Sequence, residues 1–182
     1  MRMRKGQTAM EYLMTYGWAI LIIMVVLAVL FYLGVLNPSG LTPNQCTFPA
    51  GVTCVTYKLE AITGKLNLDI GQGTGKTIRV DGVFCTSNST SNFTPSALGK
   101  TIAYSPLANV TITSGSHAYV GKTGLAGGLG NVTCTNTEGA ALTTDQTAMG
   151  TQYIGRVYIN YTEVDTGLTR IAVGTLTTKF EA

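Results

Sequence analysis

Three sets of residues in this chain of 182 have types and spacings that bear on chemistry. The first lies at the N-terminus, where Lys5-Gly6-Gln7-Thr8-Ala9-Met10-Glu11 puts a carboxylate at the entrance of YLMTYGWAILIIMVVLAVLFYLGVL. Dehydrating a carboxylate costs free energy, so Glu11 needs a reason to stand there. A proteolytic site between Gly6 and Gln7 would discard the basic residues before it and keep the apolar stretch behind it. The second set is Cys46, Cys54, Cys85 and Cys134, an even number that points to two disulfides among three connectivities. Cys46–Cys54 across a short loop and Cys85–Cys134 across a long one is the expected pairing; four buried thiols are the alternative. The third set is five Asn-x-Ser/Thr acceptors for N-linked sugar, at Asn88, Asn92, Asn109, Asn131 and Asn160. Only nine asparagines follow residue 36, and a Thr-rich chain would generate fewer acceptors among them by accident.

Other patterns fail on their chemistry. Gly71-Gln-Gly-Thr-Gly-Lys76-Thr77 ends like a phosphate-binding loop, but Ile70 occupies the position of the first glycine. The residues that follow, Thr-Ile-Arg-Val-Asp, read as a strand and not as a helix whose N-terminus would hold phosphate. A turn between two strands is expected instead. His117 is the only histidine and no Cys-x-x-Cys occurs, so no metal site is expected. Asp81, Glu138, Asp145, Glu163 and Asp165 have no diagnostic spacing and read as solvated charge. No nucleophile stands beside a candidate base in sequence. Neither catalysis nor a cofactor is expected.

The elements that must position these groups follow from charge and hydropathy. The net charge of +3 belongs wholly to Arg2, Arg4 and Lys5, because nine basic and nine acidic residues balance from Gln7 onward. No basic patch for nucleic acid remains. No charged residue occurs between Glu11 and Lys58, and Gly17 to Leu36 is unbroken apolar or small. At ~1.5 Å per residue that run crosses ~30 Å of hydrocarbon. It is apolar on every face, so lipid or other apolar helices must surround it. Tyr12, Tyr16 and Trp18 mark its interfacial end, and the preceding positive charge orients the N-terminus to the cytoplasm. Asn37-Pro38-Ser39-Gly40 and Pro43 stop the helix.

Thereafter Thr, Val, Ile and Tyr alternate as in half-buried strands, at 52–62, 65–70, 77–85, 109–113, 152–164 and 168–180. A hairpin is expected to turn at Asp165-Thr166-Gly167, and 121–151 to be largely loop. The fold class is therefore α+β: a long N-terminal hydrophobic helix, then an antiparallel β-rich domain of sandwich or Greek-key type. The boundaries are a basic leader at 1–6, a hydrophobic helix at 7–36, a linker at 37–45 and an extracellular β-rich domain at 46–182.

The order of these signals is not that of a secretory signal peptide, whose apolar stretch is shorter and precedes the cut. A glutamate five residues after Gly6–Gln7, with the apolar helix kept, resembles a type IV pilin precursor. More narrowly, Gly6-Gln7-Thr8-Ala9-Met10-Glu11 resembles the archaeal class III signal peptide, departing from its pattern at Ala9 and Thr15. The resemblance covers about the first 36 residues, and the flagellin-like Gly-Ile-Gly-Thr start is absent. It implies a prepilin peptidase that cuts after Gly6 and a subunit that waits in the membrane. Assembly with identical subunits would then withdraw the helix from lipid into the core of an extracellular helical filament used for adhesion. It also implies a partner for Glu11, the new α-amino group of Gln7 on a neighbouring subunit, with Gln7 and Glu11 setting register. A membrane-anchored extracellular binding module, or a pseudopilin that forms no long fibres, is the second reading.

Overall fold

The computed structural model describes residues 4–33, 43–88, 102–103, 110–121, 132–138, 140 and 142–182. The chain divides into two compact units, Met1–Thr42 and Pro43–Ala182.

In the first unit, helix α1 runs Arg4–Tyr32. It begins before the expected boundary at residue 7, and positions 34–36 lie outside the described residues. Leu, Ile, Met and Ala favour helix, and no proline interrupts the run. Met10–Tyr32 spans 23 residues and holds an 18-residue window of mean hydropathy 2.5, long and apolar enough to cross a membrane. Its large apolar side chains, Leu30 apart, are exposed on every face, from 41 % for Leu27 to 91 % for Tyr32. Such a surface has no partner among the described residues of its own unit, and each Leu, Ile, Val, Phe or Met side chain gains about 1.5–3 kcal/mol on leaving water.

The described residues of the second unit form ten strands: β1 (Gln45–Thr47), β2 (Val52–Glu60), β3 (Lys65–Gln72), β4 (Ile78–Thr86), β5 (Ile102–Ala103), β6 (Val110–Ile112), β7 (His117–Gly121), β8 (Val132–Thr135), β9 (Gln152–Glu163) and β10 (Thr169–Glu181). The expected antiparallel sandwich does not form. Following the pairings gives a closed ring, β2–β3–β8–β4–β9–β10 and back to β2. Four of its six contacts are antiparallel. The two that close it are parallel: β10 on β2 through Phe180↔Leu59 and Glu181↔Glu60, and β4 on β8 through Cys85↔Cys134 and Thr86↔Thr135. A closed ring leaves its member strands without the long open edges of a sandwich.

Closing so small a ring requires bent strands, and bulges supply the bends. In β4 the register against β9 jumps between Val80 and Gly82. The extra residue, Asp81, shifts the alternation by one. Ile78 and Val80 point inward before it, and Val83 and Cys85 point inward after it. Leu59, Leu66, Leu68, Ile70, Ile159, Leu176 and Phe180 complete the interior. β8 lies within the stretch expected to be loop; at four residues it is too short to show an alternation. The expected turn at Asp165-Thr166-Gly167 forms, with Gly167 at φ 69° and its N–H donating to the Glu163 carbonyl at 2.8 Å.

Both disulfides form with the expected pairing, Cys46–Cys54 over 8 residues and Cys85–Cys134 over 49. On loop-closure entropy alone the longer one contributes about 4 kcal/mol and the shorter about 2.5 kcal/mol. Guanidinium titrations should therefore show a larger loss of stability for Cys85→Ala with Cys134→Ala than for Cys46→Ala with Cys54→Ala.

Candidate functional site

The chemistry-bearing residues fall into separate places. Gly6 and Gln7 lie in the first turn of α1, and Glu11 follows one turn after Gln7 on the same helix. Glu11 is exposed, and its carbonyl accepts a bond from the Thr15 hydroxyl at 2.8 Å. Tyr12 and Tyr16 stack at 5.3 Å between ring centroids, an i,i+4 pair at the interfacial end of the apolar run.

In the barrel, the Gly-rich sequence that ends in Lys76-Thr77 is the turn between β3 and β4. Ile70 is fully buried in β3. The Gln72 side chain donates to the Thr74 hydroxyl and the Lys76 carbonyl, which fixes the turn. Lys76 does not face a phosphate site. Its ammonium donates to Glu163 at 2.6 Å. Glu163 also accepts from Arg170 at 2.7 Å and Thr166 at 2.9 Å while only 5 % exposed. It was expected to be solvated, and instead it joins the β3–β4 turn to the β9–β10 hairpin. The hydrogen bond from Lys76, then that from Thr166, hold its carboxyl down at about 2. Asp81 is likewise engaged, with Arg79 at 2.9 Å and with the Thr162 hydroxyl. Glu138, Asp145 and Asp165 are exposed.

His117, which has no metal-ligating companion in sequence, pairs with Asp69 through Nδ1 at 3.0 Å. Asp69 is 3 % exposed, while the imidazole faces solvent. The pair has the geometry of an oriented base. Among the described residues no hydroxyl or thiol is hydrogen-bonded to Nε2, so no nucleophile completes it. Sequence reasoning missed both this pair and the Glu163 cluster, because their partners lie 48 and 87 residues apart.

Two of the five sugar acceptors are described. Asn88 follows the end of β4 outside any strand, with its N–H donating to the Thr86 hydroxyl at 3.1 Å. Asn160 stands inside β9, between Gly82 of β4 and Ile171 of β10. Its Oδ1 is buried without a partner among the described residues, and the Thr162 hydroxyl of the same acceptor sequence is engaged by Asp81 and Thr169. Asn92, Asn109 and Asn131 lie outside the described residues.

Compared with known proteins, the chain matches no family model and no curated protein. What the architecture defines is a coarse class: an N-terminal helix able to span a membrane, joined in sequence to a disulfide-bonded barrel. Together these features point weakly to membrane anchoring with the barrel in an oxidising, extracellular setting.

Two outcomes follow. The depressed Glu163 carboxyl contributes stability that is present above the unfolded value of 4.5 and is lost as pH falls from there towards about 2. Acid unfolding followed by circular dichroism should show a loss in that window that is much reduced in Glu163→Gln. Glycopeptide mapping of folded chain exposed to a glycosylating extract should find sugar on Asn88 and none on Asn160, whose acceptor sequence is locked between two strands.

Proposed function

We propose that this chain is the precursor of a structural subunit of an extracellular type IV pilus-like filament, of the archaeal kind and adhesive in use. The observation that carries the reading is the coincidence of Gly6–Gln7 and Glu11 with a helix that is apolar on every face. A prepilin peptidase cuts after Gly6, and the subunit then waits in the membrane with its N-terminus in the cytoplasm. Assembly moves the helix from lipid into a filament core of identical helices. A head-to-tail contact repeated without closure generates a fibre.

Cleavage changes the electrostatics of Glu11. Before the cut, α1 begins at Arg4 and Glu11 lies about two turns inside it. Afterwards a helix that starts at Gln7 has its unsatisfied N–H groups, its positive dipole end and a new ammonium within about one turn of the carboxylate. The same groups are offered to the carboxylate of a neighbouring subunit. Removing one member of a buried pair costs about 3–5 kcal/mol, although the intact pair contributes little net stability. Its effect is therefore on register: subunits slid along one another by a turn leave both charges unpaired.

The second reading, a membrane-anchored binding module or pseudopilin without long fibres, is favoured by the self-contained barrel, which has its own core and both disulfides. Mass spectrometry of the native protein should find Gln7 as the first residue; a chain that starts at Met1 sinks the filament reading. Electron microscopy of material sheared from cells should show fibres that contain the chain, and their absence favours the anchored module. Glu11→Ala should be processed normally and give few or no fibres, and normal fibres from that variant refute the register role.

A further inference from the structure

One end of the barrel carries a cavity of about 260 Å³ that none of the preceding chemistry uses. It opens where β4 and β8 end and β9 begins. Its polar lining is Ser87, Asn136, Thr137, Gln146, Gln152 and Thr151, and its apolar lining includes Leu142 and Ile154. Among the described residues that line it there is no acid and no base.

The two amides on opposite sides of the β8–β9 connection are oriented. Asn136 Oδ1 accepts from the backbone N–H groups of Glu138 at 3.0 Å and Ala140 at 2.8 Å. Gln146 Oε1 accepts from the Thr143 N–H at 3.0 Å. A backbone N–H only donates, so each amide must turn its oxygen into its own loop and leave its NH₂ group over. Among the described residues neither NH₂ group has a partner, nor do the hydroxyls of Ser87, Thr137 and Thr151. Ile154 is 63 % exposed at the rim, although it belongs to a strand of the barrel. Beneath it, Tyr153 stands edge-on to Phe180 at 6.1 Å between centroids and donates its hydroxyl to the Thr135 carbonyl at 3.0 Å, making a rigid floor.

We infer that this cavity binds a neutral carbohydrate residue, a hexose or N-acetylhexosamine. A sugar ring presents hydroxyls that both donate and accept, together with an apolar C–H face. The amide donors and free hydroxyls match the first, and Ile154 with Leu142 matches the second. An anion would find donors here but no cation, with the carboxylates of Glu138 and Asp145 nearby in the same connection. The volume lies just below the ~300–1,000 Å³ of drug-sized sites, which limits occupancy to about one ring. The inference does not depend on whether the chain polymerises. The sugar belongs either to a foreign surface or to a glycan on a neighbouring copy.

The full-length chain, made in a host without N-glycosylation and held in a phosphocholine detergent free of sugar headgroups, is titrated with the methyl glycosides of glucose, mannose, galactose and N-acetylglucosamine. Side-chain NH₂ signals of Asn136 and Gln146 are followed by NMR. At least one glycoside should saturate both signals in the millimolar range. Gln146→Glu, which keeps the oxygen that accepts from Thr143 and removes the NH₂ donor, and Thr137→Val, both at exposed positions, should each weaken binding about three- to tenfold with unchanged thermal unfolding. Absence of saturation by every glycoside overturns the inference, as does affinity untouched by both substitutions. Inorganic phosphate that shifts the same signals more strongly than any glycoside also overturns it. Chain from a glycosylating host separates the sources. Unchanged affinity assigns the sugar to a foreign surface, and weakened affinity restored by enzymatic deglycosylation assigns it to a neighbouring copy.

Discussion

The contact on which most of the barrel depends is the short parallel pairing of β4 with β8. It consists of two residue pairs, Cys85↔Cys134 and Thr86↔Thr135, and the first is also a disulfide. Parallel pairing requires a long crossover, and two pairs alone would not offset the entropy of holding so long a connection. The covalent link removes that cost from folding, and a set of hydrogen bonds then grows around it. The Thr135 hydroxyl donates to the Cys85 carbonyl, the Tyr153 hydroxyl to the Thr135 carbonyl, and the Thr86 hydroxyl to the Asn136 carbonyl. Burial raises the Tyr153 phenol well above its ordinary value, so it stays a donor across the accessible pH range. The cavity at this end is lined in part by Ser87, Asn136 and Thr137, which leave β4 and β8 directly after the disulfide.

A second, electrostatic tie acts at the opposite turns. Glu163 gathers Lys76, Arg170 and Thr166 where the β3–β4 and β9–β10 turns meet. A buried carboxylate is tolerated only with partners of this kind. Two cations and a hydroxyl meet that condition while leaving the ammonium and guanidinium partly in water. The two units accordingly satisfy their polar and apolar groups in different ways. The barrel does so internally, whereas α1 leaves its apolar surface exposed.

How much of this was legible in sequence varied with range. The apolar stretch behind Glu11 announced its helix because composition alone excludes a soluble, half-buried one. The long strands β2, β3, β4, β9 and β10 showed themselves through alternation, and Gly167 marked the hairpin turn. Of the short strands only β6 was read, at 109–113; β1, β5, β7 and β8 were not, since two to five residues carry too little periodicity to stand out from loop. Asp81 could not be recognised as a bulge, although it decides which residues of β4 face the core. The amide-lined cavity was missed entirely, because Asn136 and Gln146 look like ordinary loop residues until their oxygens are seen to be engaged by backbone.

The sequence by itself determined where the chain is apolar on all sides, where it alternates, and where its cysteines and Asn-x-Ser/Thr triplets stand. Those properties reside in single residues or in neighbours within a turn. Tertiary structure alone decided that the strands close into a ring and do not stack as a sandwich. It also decided that Glu163 and Asp69 are buried and paired, and that Asn160 is locked between strands while Asn88 is not. Alternation records that one face of a strand is buried, but it carries no information about which strand lies alongside. Closure depends on Leu59 meeting Phe180 and Cys85 meeting Cys134, contacts between residues whose separation along the chain leaves no local trace.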